Sequence, residues 1–72
     1  MIRIRDFVTT LLYQMNIEVR DENNYTLGVF PTDSDALKPY LEREVKQWFP
    51  CGSYKGIEVD FTVILQEEQE HE

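Results

Sequence analysis

The chain has 72 residues, and seven Lys and Arg side chains oppose fourteen Asp and Glu side chains, which gives a formal charge of −7. This length predicts one domain that buries only about 60% of the surface of its unfolded chain. Phosphate backbones are bound by clusters of Lys and Arg, so the charge argues against direct binding of DNA or RNA. The same repulsion argues against an anionic membrane surface.

The single cysteine and the charges among the first six residues predict the cellular compartment. Cys51 is the single cysteine, and it cannot close an intramolecular disulfide. This argues against a small secreted domain held together by disulfides. Charges interrupt the apolar residues at positions 1–6, so no targeting or membrane-spanning segment is predicted there. We therefore expect a soluble cytoplasmic protein.

The first predicted element is a helix over residues 6–15, with Asp6 as its N-cap. Its apolar residues fall within one arc at helical spacing, with polar residues opposite. They are Phe7, Val8, Leu11, Leu12 and Met15. Ile2 and Ile4 alternate with arginines, which leaves open a short strand before this helix.

A hairpin is predicted next, because the hydrophobic period changes from helical spacing to two. Ile17 and Val19 form one apolar side, and residues 20–24 are the polar turn. Tyr25, Leu27 and Val29 then alternate in the second strand. Pro31 ends that strand, since proline cannot donate to a ladder.

A second helix is predicted to follow a group of N-cap residues at 32–35. Pro39 leaves two starting points: Ser34, or about residue 38 after a short turn. Pro50 and Gly52 end the helix. The apolar residues at helical spacing are Leu37, Tyr40, Leu41, Val45, Trp48 and Phe49.

The last predicted strand covers residues 56–65, where every odd position is apolar. Residues 67–72 then form an acidic tail that we expect to be disordered. The predicted domain therefore spans residues 1–66. From Ile57 to Glu72 there are six acidic residues and no basic one.

The resulting element order is α-β-β-α-β, and the expected fold is an α+β two-layer sandwich. Its sheet has three strands in the order 2-1-3, with both helices on one face. A right-handed crossover through the second helix places strand 3 beside strand 1 and parallel to strand 2.

The segment WFPCGSYKGIEV, residues 48–59, holds the residues most suggestive of chemistry. A catalytic cysteine needs a base, and the single histidine, His71, lies in the predicted tail. Residues 52–56 also lack the phosphate-loop motif GxxxxGK[ST] and its strand-to-helix context. The segment is therefore interpreted as the end of a helix and the start of a strand.

Other candidate chemistry is equally limited. Residues 70–72, Glu-His-Glu, could hold a cation only loosely, because a structural metal site needs three or four converging ligands. Glu58 and Asp60 are expected on one strand face about 6.6–6.8 Å apart, without a cleft or a base. Glu44 lies at the margin of the predicted apolar stripe, where a partner or water would satisfy it. We predict no catalytic residue, metal or cofactor.

The sheet face away from the helices is then the candidate functional surface. We expect it to present Glu18, Arg20, Thr26, Gly28, Phe30, Glu58, Asp60, Thr62 and Ile64. Its carboxylates would repel RNA and attract a basic protein, with Phe30 or Ile64 as an apolar anchor. The predicted partner-binding residues are Glu18, Phe30, Glu58, Asp60, Ile64, Glu67 and Glu68.

These features predict a non-catalytic protein-interaction domain, an adaptor or inhibitor that engages a basic protein, of which a nucleic-acid-binding protein is one candidate. In a more specific version, the carboxylates imitate successive phosphates of a nucleic acid. In composition alone, the chain resembles small acidic products of phages and mobile elements. The alternative is a structural subunit, for example of a homodimer, that assembles through the unpaired edge of strand 57–65. A small enzyme that uses Cys51, Glu44 or the Glu58 and Asp60 pair is a third hypothesis.

Overall fold

The computed structural model of the chain describes residues 1–68. One α-helix, one 3₁₀ helix and six strands follow each other along it. In chain order they are α1 (Ile4–Thr10), β1 (Asn16–Arg20), β2 (Thr26–Pro31), the 3₁₀ helix (Asp35–Tyr40), β3 (Val45–Pro50), β4 (Ser53–Tyr54), β5 (Ile57–Glu58) and β6 (Phe61–Leu65).

The main sheet is mixed and has four strands in the order β2-β1-β6-β3. β1 is antiparallel to β2 and parallel to β6, and β3 is antiparallel to β6. β4 and β5 form a separate two-stranded ribbon, called the arm below. The predicted α+β class is confirmed, but the three-stranded sheet is not. Of the predicted strand 57–65, the part that forms β6 does lie beside β1, although its direction is opposite to that expected.

α1 begins two residues earlier than predicted and ends five residues earlier. Asp6 lies inside the first turn, where its Oδ2 accepts a hydrogen bond of 2.8 Å from the backbone N–H of Arg3. Val8, Thr9 and Thr10 are β-branched and weaken the helix at its end. The hydroxyls of both threonines also donate to main-chain carbonyls of the preceding turn. The short strand left open at residues 2–4 exists as one antiparallel bridge, between Arg3 and Glu44.

The predicted long second helix is wrong. Ser34 does cap a helix, since its Oγ accepts from the backbone N–H of Ala36 at 3.1 Å, but that helix is a 3₁₀ helix of six residues. Pro39 lies within it and removes a backbone donor that a continuing α-helix needs. Residues 45–50 instead form β3, and the valine, tryptophan and phenylalanine there favour a strand.

β3 also explains why strand 57–65 has no free edge. The buried strand β6 is flanked on one side by β1, and β3 pairs with its other side over Val45–Pro50. Backbone groups of a buried strand need hydrogen-bond partners on both sides, and a helix could not have supplied them. The predicted continuous strand is also divided, because Ile57–Glu58 belongs to the arm and Phe61–Leu65 to the main sheet.

The core lies between the sheet and the two helices. Its fully buried members are Ile4, Ile17, Val19, Leu37, Phe61, Val63 and Leu65. Ile4 from α1 and Leu37 from the 3₁₀ helix pack against the same sheet face, so the molecule has two layers.

The prediction that Phe30 lies on the sheet face away from the helices is wrong. Phe30 pairs with Ile17 and packs against the core, whereas Tyr25 and Leu27 are exposed. The pairing of β1 with β2 shifts register between Val19 and Arg20, where Gly28 lies opposite Val19 and Thr26 lies opposite Arg20. Because of this shift, Phe30 and Thr26 lie on opposite faces of the sheet. Gly28 lies under the Phe30 ring, and a Cβ at Gly28 would be only 2.6 Å from Phe30 Cζ. The absence of a side chain at Gly28 therefore makes room for the ring.

Candidate functional site

An open cleft of about 390 Å³ lies where β3 begins and β6 ends. The loop before β3 and the residues after Leu65 form its walls, and the backbone N–H of Gln66 donates to Glu44 O at 2.8 Å. The lining residues are Met1, Glu42, Arg43, Glu44, Gln66, Glu67 and Glu68. Four carboxylates therefore surround the cleft against one guanidinium.

Two of these carboxylates are engaged by the protein's own arginines. Glu42 forms an ion pair with Arg5, and Glu68 forms one of 3.1 Å with Arg43. Within residues 1–68, Glu44 and Glu67 have no ion-pair partner. The cleft consequently keeps a local excess of negative charge that points to solvent.

Trp48 is a large apolar side chain on β3, outside the lining of this cleft. Its side chain is 52% exposed, although its ring makes an edge contact with Phe7, with ring centroids 5.5 Å apart. Phe7 in turn stacks on Phe61 of the core at 5.7 Å. Four residues of extended chain separate Trp48 from Glu44, about 13 Å at strand spacing. The indole is thus held in place by the core while half of it remains available for contact.

β3 is an edge strand, so its outer side is open. Among residues 1–68, the segment 2–4 covers that side only at its start, where Val45 N–H donates to Ile2 O at 2.8 Å. Ile2 is itself exposed, as are Trp48 and Phe49. We call the outer side of residues 46–50, with Trp48 and the adjoining acidic cleft, the β3 surface.

The sheet face away from the helices carries a buried polar cluster around Glu18. This residue is only 1% exposed, and Arg20 donates to its two carboxylate oxygens at 3.1 Å each. Thr26 on β2 and Thr62 on β6 also donate to it, at 2.6 and 3.0 Å. The Arg20 guanidinium lies 5.4 Å from the centre of the Phe49 ring. Glu18 therefore links three adjacent strands.

The environment of Glu18 has opposing effects on its pKa. Burial raises the pKa, but hydrogen bonds from Arg20, Thr26 and Thr62 together with the charge of Arg20 lower it by more, so the pKa lies below its ordinary value. The group is an ionised carboxylate at neutral pH with every hydrogen-bonding position occupied. Such a carboxylate stabilises the fold and is closed to a partner, which corrects the expectation that Glu18 lies exposed on this face.

The seven predicted partner-binding residues do not form one surface. Glu18 is buried in its cluster, Phe30 packs on the core side beside Tyr40, and Ile64 is half-buried on the open face. Glu67 and Glu68 line the acidic cleft. Sequence reasoning placed Glu18, Phe30, Glu58, Asp60 and Ile64 on one sheet face, and Glu67 and Glu68 in a disordered tail, because it did not anticipate the register shift between β1 and β2 or the arm.

Glu58 and Asp60 lie at the opposite end of β6 from the cleft. Seven residues separate Asp60 from Glu67, which corresponds to about 23 Å of extended chain. Both side chains are exposed, but Glu58 belongs to the arm, and Asp60 Oδ2 accepts from the backbone N–H of Asn16 at 2.8 Å. They therefore do not share one strand, and no continuous row of carboxylates follows residues 57–65.

Cys51 lies at the junction between β3 and the arm and does not end a helix. Its φ is 65° and that of Gly52 is 146°, so the chain changes direction there. The thiol is exposed. The His71 partner considered for it, the 70–72 cation site and most of the predicted tail lie outside the described residues. Within 1–68, no group of three or more Cys, His, Asp or Glu residues is placed to hold a metal ion.

The residues that define the β3 surface were not singled out as a site by sequence reasoning. Trp48 and Phe49 were assigned to a helix, and Glu44 to the margin of that helix. The usable signal was the composition of residues 45–50, V-K-Q-W-F-P, which is typical of an edge strand that ends in proline.

Comparison of the chain with protein-family models, curated proteins and solved structures found no match in any of the three. No helix within residues 1–68 has the length and apolar character needed to span a membrane.

Proposed function

We propose that this protein is a non-catalytic protein-interaction domain that engages a basic partner through the β3 surface. The observation that carries the proposal is half-exposed Trp48 on the edge strand β3, about 13 Å along the chain from an open cleft with four carboxylates. Aromatic side chains held at an otherwise charged surface commonly supply much of the binding energy of protein interfaces. The role is that of an adaptor or inhibitor.

Charge supports a basic partner in particular. The chain carries −7 overall, and Glu44 and Glu67 add uncompensated carboxylates beside the strand edge. Complementary charge accelerates association and rejects acidic competitors more than it adds affinity. A partner with Lys or Arg around an apolar contact fits this surface, and nucleic-acid-binding proteins are one class that presents such a surface.

Imitation of a nucleic acid is a narrower version of this function, and it has less support. It needs carboxylates at regular spacing, whereas Asp60 lies about 23 Å of chain from Glu67 and Glu58 belongs to the arm. Assembly through the edge of strand 57–65 also lacks support, because β6 is paired on both sides. Self-association, if it occurs, has the outer side of β3 as its available edge.

The function can be tested by affinity capture from a lysate of the source organism. Immobilised wild-type protein is compared at about 0.1 M and about 1 M salt, where the Debye length falls from about 10 Å to about 3 Å. We expect a basic protein to be retained at low salt and released at high salt. Trp48→Ser and the double variant Glu44→Gln, Glu67→Gln should each retain much less of it.

Matched controls come from the β1–β2 turn at the other edge of the sheet. Tyr25 is 71% exposed and Glu22 is exposed, so Tyr25→Ser and Glu22→Gln remove an aromatic ring and a charge of the same kinds. These two variants should capture as much partner as the wild type. The function fails if no captured protein depends on both salt and Trp48.

A further inference from the structure

We infer that the partner binds as an extended basic segment that adds a fifth strand to the main sheet along residues 46–50 of β3. This inference rests on the proposed function, and it specifies both the kind of partner and its mode of binding. The structural basis is the combination of an open strand edge, an exposed aromatic ring and a local excess of carboxylates in one surface.

Backbone geometry identifies the groups that such a strand would meet. Cys51 N–H donates to Asp60 O at 2.8 Å, so at that point the main chain faces β6. Hydrogen bonding alternates along an antiparallel strand, and Trp48 lies three residues earlier. The N–H and C=O of Trp48 therefore point away from β6 toward the open side. Trp48 presents both its backbone groups and its indole to an incoming strand.

The length of the available edge is bounded at both ends. Residues 2–4 occupy the outer side of β3 up to Val45, where Ile2 O accepts the Val45 N–H. Pro50 has no N–H to offer, and Cys51 turns the chain out of the sheet with a φ of 65°. The pairing of β3 with β6 shifts register between Val45 and Gln47, so the regular edge covers residues 47–50 and accommodates a segment of about four residues that includes the partner of Trp48.

Charge distinguishes a basic segment from a second copy of this chain. Each of two copies carries a formal net charge of −7, and the repulsion between these like charges opposes their association. Lys46 and Pro50 on β3 disfavour pairing with any incoming strand and not only with a second copy, so the net charge carries the distinction. Residues that flank the paired segment at its Val45 end would lie near the carboxylates of Glu44 and Glu67 in the cleft. The charge pattern therefore favours a different, basic polypeptide.

The experiment uses a fluorescein-labelled eight-residue peptide of alternating valine and arginine, with binding to the full chain followed by fluorescence anisotropy. We expect binding that weakens at least tenfold at about 1 M salt and at least tenfold with Trp48→Ser. The corresponding valine–glutamate peptide should bind at least tenfold more weakly. Tyr25→Ser should leave the affinity unchanged.

Strand addition is isolated by two N-methylated isomers of the same peptide, one methylated at the valines and the other at the arginines. Alternate N–H groups of a strand point to opposite edges, so only one isomer loses the donors that face β3. We expect the affinities of the two isomers to differ at least tenfold. Equal affinities would overturn strand addition, while Trp48- and salt-dependent binding of the parent peptide would still support the proposed function.

Two further outcomes separate the remaining possibilities. If the parent peptide fails to bind and lysate capture is also independent of Trp48, both the function and the binding mode are wrong. Sedimentation equilibrium of the protein alone tests the second copy as the occupant. A dimer that is lost in Trp48→Ser would overturn the basic segment as the occupant of the edge and favour pairing of two copies through β3. A protein that stays monomeric at every concentration measured supports the inference.

Discussion

Arg20 and Glu18 form a two-point ion pair in the centre of the sheet, with both hydrogen bonds at 3.1 Å. The two residues lie on the same face of β1, two positions apart, and Glu18 is almost completely buried. Thr26 and Thr62 complete the set of donors from the neighbouring strands. Because a buried charge is costly unless every position is satisfied, this cluster fixes the alignment of β1, β2 and β6.

The cluster makes stability depend on pH in a defined direction. The pKa of Glu18 is lowered in the folded protein from about 4.5, so folding favours its ionised form. The stabilisation is fully present above the unfolded pKa and is lost as the pH falls through the lower folded pKa. We expect the free energy of unfolding, measured by denaturant titration, to decrease more between pH 5 and pH 3 in the wild type than in Glu18→Gln. Glu22→Gln, a substitution on the exposed turn, should show the same decrease in the free energy of unfolding as the wild type. Equal decreases for the wild type and Glu18→Gln would contradict this role of Glu18.

Thr62→Val removes one donor to Glu18 while nearly preserving side-chain shape. Loss of a hydrogen bond to a buried charged acceptor is expected to lower the free energy of unfolding by about 1–3 kcal/mol. It should also raise the pKa of Glu18, because one interaction that favours the carboxylate is gone. NMR titration of the Glu18 side chain checks the second effect. A destabilised variant with an unchanged Glu18 pKa would show that Thr62 acts only through packing.

Gly28→Ala tests the close approach of Phe30 to the main chain. The new Cβ would lie 2.6 Å from Phe30 Cζ, so the ring must move from its place against the core. We expect a loss of about 1–3 kcal/mol in denaturant unfolding, as for other substitutions that overfill a packed site. The same change in a Phe30→Leu background should cost less, because the ring that causes the clash is absent. Equal penalties in the two backgrounds would exclude this clash as the cause.

The turn of the arm offers a stabilising substitution. Lys55 and Gly56 have φ values of 49° and 80°, as a two-residue type I′ hairpin turn requires. Lysine is strained in this region, whereas asparagine tolerates it. Lys55→Asn should stabilise the arm by up to about 1 kcal/mol, seen as slower amide hydrogen exchange in β4 and β5. Gly56→Ala should speed that exchange, and the absence of either change would mean that the turn does not limit arm opening.

Local patterns in the sequence were sufficient for several elements. The alternation around Ile17 and Val19 and the polar residues that follow predicted the first hairpin, because a period of two and a polar turn are properties of short segments. Ser34 was correctly included among the helix-capping residues, and the Phe61–Leu65 part of the predicted last strand was correctly expected to be extended and to lie beside β1. The coarse α+β class followed from these elements, as did the negative charge that directs attention to a basic partner.

The formation of β3, the inward position of Phe30 and the burial of Glu18 depended instead on contacts between distant segments. Residues 45–50 have apolar spacing that also suits a helix, and they form β3 because the buried strand β6 needs hydrogen-bond partners on its second side. The register shift that turns Phe30 inward arises only when β1 and β2 pair, and Glu18 becomes buried only when Arg20, Thr26 and Thr62 converge on it. The acidic cleft of the proposed binding surface has the same origin, since Glu44 and Glu67 come to line one cleft only through the pairing of β3 with β6. Long-range pairing of this kind leaves no local periodic signal, so side chains far apart in the chain define the site only after folding.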